Sequence, residues 1–133
     1  MNTRTPTRAK KHTFMFGSLR VVVVDRGVNT FSGISSRNYD VLVTRGTDSY
    51  SSGISQNDPR ERFTTKEDFK RGAAMVLTWM LDCMKNLETW KDEMRARIST
   101  SGEREVVESI IRQQSAQLSR FSMADIKNAL RDA

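Results

Sequence analysis

The chain holds one histidine and one cysteine, His12 and Cys83. The common nucleophile–base pairs are therefore nearly excluded. His12 follows two lysines in a polar N-terminal stretch, where a solvated side chain is the simplest reading. Cys83 falls on an apolar helical stripe, where a thiol behaves as a small hydrophobe. Pairing the two would join a helix interior to a polar arm. Neighbouring carboxylates occur at Glu67/Asp68, Asp92/Glu93 and Glu103/Glu105. Each set suits a helix start or a solvent-facing turn better than acid–base chemistry. Asp40 and Asp58 have no visible partner. No dinucleotide-binding, phosphate-loop, zinc-peptidase, dithiol or nucleophile-elbow motif is present. The expectation is a non-catalytic protein with no metal, no cofactor and no evident small-molecule substrate.

The remaining chemistry is positive charge. The 133-residue chain carries 22 bases against 16 acids, a net charge of +6. Arg4, Arg8, Lys10, Lys11 and Arg20 precede the first acid, Asp25. The rest of the chain is nearly balanced. A basic arm on a neutral body suits contact with phosphates or an acidic surface. Arg60, Arg62, Lys66, Lys70 and Arg71 form a second group, with Lys66 and Lys70 on one helical face. Glu61, Glu67 and Asp68 interleave with them. Together the two groups could line up as a phosphate-contacting stripe, sequence-independent and salt-sensitive. Arg26, Arg37 and Arg45 add charge in or beside the turns.

These residues need elements to position them. Residues 1–13 have almost no apolar side chain and contain Pro6, so they read as a flexible basic arm. Residues 14–24 read as a strand, with Val21–Val24 buried on both faces and therefore central. Asp25-Arg26-Gly27 and residues 35–38 read as turns. Residues 28–34 form a short strand at most. Residues 39–44 alternate Tyr39, Val41 and Val43 against Asp40, Leu42 and Thr44, a half-buried strand. Residues 45–62 are polar, either a mobile loop or part strand around residues 48–54. Thr30-Phe31-Ser32-Gly33-Ile34-Ser35 echoes Ser49-Tyr50-Ser51-Ser52-Gly53-Ile54-Ser55. Phe31 and Tyr50 could stack on bases, although similar turn chemistry used twice is the simpler explanation of the echo.

Residues 64–98 carry the longest periodic signal. Phe69, Ala73, Val76, Met80, Cys83, Leu87, Trp90 and Met94 alternate at steps of four and three, a heptad-like stripe. A capping box from Thr64/Glu67 or Thr65/Asp68 opens it. Uninterrupted, this helix would run about 50 Å at ~1.5 Å per residue. Either its end from residue 88 projects to a partner, with Trp90 and Met94 as interface, or it breaks near Asn86. Residues 103–120 form a second helix behind a Thr100 cap. A third starts at Ser122, with Phe121 and Ile126 placed as a hydrophobic staple.

The reading is one α+β domain over residues 14–133. A small N-terminal antiparallel meander in a β-rich part, 14–62, packs on a long central helix, and two shorter C-terminal helices complete a helical part, 63–133. The expected function is binding of nucleic acid, RNA rather than DNA, by a homo-oligomer. The rival is a protein–protein module, an adaptor, inhibitor or shell component using the long helix. Size, Arg/Ser/Thr richness and the arm suit a small viral or phage accessory or structural protein. No run of about 18 apolar residues is present, and no apolar segment follows the basic start as in a secretory signal. A lone cysteine fits a reducing compartment, so the expected location is intracellular and cytoplasmic.

Overall fold

The computed structural model describes residues 10–132. Four strands form one antiparallel sheet in the order β1-β2-β3-β4: β1 Lys11–Phe16, β2 Leu19–Phe31, β3 Ile34–Arg45 and β4 Asp48–Gln56. A single turn of 3-10 helix at Pro59–Glu61 leads to α1 Lys66–Lys85, α2 Leu87–Ala96, α3 Ser101–Leu118 and α4 Met123–Arg131. The expected α+β class, with an N-terminal meander ahead of the helices, is what the chain adopts. Among the described residues no helix is long and apolar enough to cross a membrane.

The sheet is larger than its apolar pattern suggests. The stretch expected as one strand over residues 14–24 is two, folded back at Gly17, whose φ of +57° suits a residue without a Cβ. β1 begins at Lys11, so Lys11, His12 and Thr13 belong to the sheet and not to an arm. His12 is half-buried and not fully solvated: its ring centroid lies 4.3 Å from that of Phe69. Asp25-Arg26-Gly27 is a β-bulge within β2, not a turn, because Arg26 is skipped in the register with β3. The expected turn at residues 35–38 is strand, and the reversal falls at Ser32-Gly33. The polar stretch after Arg45 holds β4, whose Tyr50 and Ile54 point into the core while its serines mostly face out.

Alternation decides which face is buried. Val21 and Val23 of β2, with Tyr39, Val41 and Val43 of β3, are almost fully buried. They pack on Phe69, Ala73, Val76, Leu77 and Met80 of α1 and on Ile126 and Ala129 of α4. Each such side chain removed from water contributes about 1.5–3 kcal/mol. Tyr39 anchors an aromatic cluster, 4.5 Å from Phe63 and 5.8 Å from Phe69 between ring centroids. Its hydroxyl accepts the Phe63 backbone N–H at 3.0 Å. Gly72 makes this possible: a Cβ there would stand 2.6 Å from Phe63 Cε2.

The helical layer starts and stops as its caps dictate. Thr65 and Asp68 form the capping box of α1. The periodic segment breaks at Asn86, whose φ and ψ of −121° and 36° are non-helical. One long helix therefore becomes two, and the stripe that continues through Trp90 and Met94 turns away from the α1 core. α2 has no fully buried residue and leans on α3 through a two-bond Arg95–Glu108 ion pair at 2.8 and 3.0 Å. Ser122 caps α4, and the staple residues Phe121 and Ile126 are both buried.

Candidate nucleic-acid interface

Because α1 and α4 cover one face of the sheet, side chains of the opposite parity form the other face. The registers set them in rows. Met15, Arg20, Thr44 and Ser49 make one row; Thr13, Val22, Leu42 and Ser51 the next; Lys11, Val24, Asp40 and Gly53 the third. Arg26 stands beside the third row, bulged out of β2. Lys11, Arg20 and Arg26 border a trough of about 690 Å³ floored by Val22, Val24 and Leu42. Among the described residues Asp40 is the one acid lining it, and it is held by Arg26 Nε at 2.6 Å. Met15 is 64% exposed and Leu42 39%. The face is thus apolar in the middle and cationic at its borders. Its floor can meet flat apolar groups and its rim can meet phosphates.

The second basic group sits on the helical layer. Asp58 accepts from the backbone N–H, Nε and Nη2 of Arg60. This ties Arg60 to its own turn and holds the Asp58 carboxyl below the usual carboxylate range, the Arg60 side chain being the larger cause. Asp68 accepts from the N–H groups of Thr64 and Thr65 and from Arg71 Nη2 at 3.1 Å. Those backbone bonds first, and Arg71 last, hold the Asp68 carboxyl far below its ordinary value. Arg60 and Arg71 are therefore committed locally, as the interleaved acids in the sequence foreshadow. Lys70 Nζ lies 6.0 Å from the Phe16 ring centroid. Among the described residues Lys10, Lys11, Arg20, Arg62, Lys66 and Lys70 make no ion pair.

The expected single stripe is two groups. His12 on Phe69 and Lys70 over Phe16 bring the start of α1 under β1. Lys66 and Lys70 lie on the helical side of that edge strand, and Lys11 faces the bare side. Arg20 lies at the far end of the bare face, beside Met15. Arg4 and Arg8 lie outside the described residues. The sequence marks Arg26 only as charge beside a turn, and it does not mark Met15, Val22 and Leu42 as site residues. Only the pairing of β1, β2 and β3 in register, with the bulge at Arg26, brings them together.

The two candidate stacking aromatics separate. Phe31, at the β2–β3 tip, is 82% exposed, whereas Tyr50 is 7% exposed and turns away from the bare face. Tyr50 therefore has no part in this interface. Burial raises its hydroxyl pKa, with Cys83 a smaller cause. Trp90 and Met94 are each half-buried on α2. No family model, no curated protein and no solved structure matches this chain.

Proposed function

We propose that this protein binds single-stranded nucleic acid, RNA in preference to DNA, on the bare face of its sheet. The observation that carries this reading is the composition of that face: Lys11 and Arg20, neither of them ion-paired among the described residues, beside an apolar floor whose one acid, Asp40, is paired with Arg26. Basic borders attract the backbone, and an apolar floor accepts unpaired bases without reading their edges. A broad sheet face suits splayed bases better than a duplex groove, and unpaired bases are the common form in which RNA is recognised. Lys10, immediately before β1, adds to the same electrostatic contact. No catalytic step is assigned to the face.

The test is a titration of a labelled single-stranded RNA, the matching DNA strand and the duplex at two salt concentrations. Binding should weaken steeply with salt, with RNA tightest. The Lys11→Ala/Arg20→Ala variant should lower the salt slope by about 0.7 for each phosphate it no longer neutralises. Arg60→Ala should leave the slope nearly unchanged, since Arg60 is already held by Asp58. An unchanged slope in the double variant, or no salt-dependent binding at all, overturns the reading.

A second reading has its own observation. α2 carries Trp90 and Met94 and buries no residue fully, so a partner or a second copy could complete that face. Light scattering alongside the titration separates the two: a concentration-dependent mass that disappears in Trp90→Ala, without RNA binding, favours the interaction module.

A further inference from the structure

The break at Asn86 creates a second concavity, which shares only Ser52 with the basic trough. Trp79 and Trp90 are the only tryptophans of the chain. At about 3.6 residues per turn they lie three turns apart, on the same side of the original periodic segment. The bend sets them along one groove of about 570 Å³, closed by Tyr50 of β4 and Ile110 of α3. Asp82, one turn beyond Trp79, and Glu93, one turn beyond Trp90, line the same groove. Among the described residues no lysine or arginine lines it, and neither carboxylate makes an ion pair.

This is an unusual use of surface. Trp79 is 43% exposed and Ile110 38%, while Tyr50 below them is fixed at 7%. Large aromatic faces left open to water beside two uncompensated acids, in a chain with an excess of bases, mark a site with a defined charge preference. An anion would meet two carboxylates. Among the described residues no group of three or more histidine, cysteine or acidic side chains is placed to hold a metal ion. A cation that is bulky and weakly hydrated meets both kinds of wall favourably: the negative faces of the aromatic rings and the carboxylate field.

We infer that the groove between α1, α2, α3 and β4 binds small organic cations with an alkylated ammonium head, against its aromatic walls Trp79, Tyr50 and Trp90 and in the field of Asp82 and Glu93. An alkylated ammonium offers few or no N–H donors, so it gives up little to water and gains most from indole faces. A guanidinium would instead seek a bidentate carboxylate. The inference is independent of nucleic-acid binding, because no residue that carries one site carries the other.

Both tryptophans lie in the groove, so their fluorescence reports occupancy directly. The probes are tetramethylammonium and choline, at ionic strength matched with sodium chloride. 3,3-Dimethylbutanol serves as the neutral isostere of choline, and guanidinium is added at non-denaturing concentration. The two ammonium probes should give a saturable change. The isostere and guanidinium should each bind about tenfold more weakly or not at all. Trp79→Leu, read through Trp90, should weaken choline about tenfold. Asp82→Asn/Glu93→Gln keeps both fluorophores and should do the same, with circular dichroism unchanged. A response no different from sodium, equal binding of the neutral isostere, tighter binding of guanidinium, or full affinity in the carboxamide variant would each overturn the assignment.

Discussion

The two halves of the β2–β3 hairpin share a backbone and differ in everything around it. Near the β3–β4 turn, Val21, Val23 and Val43 are 0% exposed, flanked by β1 and β4 and covered by α1. Past the bulge, Val28, Phe31 and Ile34 are 57%, 82% and 62% exposed. There β1 has ended opposite Val24, and β4 reaches only to Arg37. Val28, Phe31 and Ile34 are as strand-forming as Val21, Val23 and Val43. The difference lies in what covers them: apolar strand residues are only as buried as the layers that reach them. Between the halves stands the Asp25 carboxylate. It accepts the Gly27 N–H at 2.9 Å and two bonds from Arg37, at 2.7 and 3.1 Å.

Four substitutions grade this contrast. Tyr39→Ala, in the embedded half, should cost roughly 3–5 kcal/mol in chemical denaturation, as large-to-small changes of buried aromatics do. A cost below about 1 kcal/mol would mean that the Tyr39–Phe63–Phe69 cluster is not the centre of the core. Arg37→Ala leaves Asp25 buried and without its cation, and should cost about 2–3 kcal/mol. The neighbouring exposed pair, Arg26 with Asp40, should cost under about 1 kcal/mol when Arg26→Ala is measured the same way. Equal costs for the two would erase the boundary role of Asp25. Phe31→Ala should change stability by no more than about 0.5 kcal/mol. Amide exchange in residues 28–36 should be far faster than in residues 21–23. Strong protection of residues 28–36 in the free protein would show that this half is covered after all.

The same contrast explains what could be read from the residues alone. Tyr39–Thr44 alternates cleanly because one face is packed and the other is bare. The α1 stripe from Phe69 to Met80 is legible because each of its members meets the core. The Thr65, Thr100 and Ser122 caps are legible because a hydroxyl that satisfies a helix N–H acts within one turn. Signals that need a partner strand are not legible. Asp25-Arg26-Gly27 has the composition of a turn, and only pairing with β3 makes it a bulge. β4 is rich in serine, a weak strand former, and its membership rests on Tyr50 and Ile54 pairing with Val43 and Tyr39. The bare basic face combines three strands at fixed register. The aromatic groove combines a helix break with residues from four elements, one of them inside what reads as a loop.

The Gly17 N–H donates to Asp132 Oδ2 at 2.6 Å, and a Cβ on Gly17 would touch Ala129. The first hairpin and the last helix are therefore neighbours, although almost the whole chain separates them. Contacts of this span form late, because the intervening loop entropy must be met first. During synthesis, the strands and α1 emerge before the helix that seals them, leaving the part of the core shared with Ile126 and Ala129 uncovered until α4 arrives. The fold is a clasp, and the interval before it fastens is when the nascent chain is most exposed to aggregation or to chaperones.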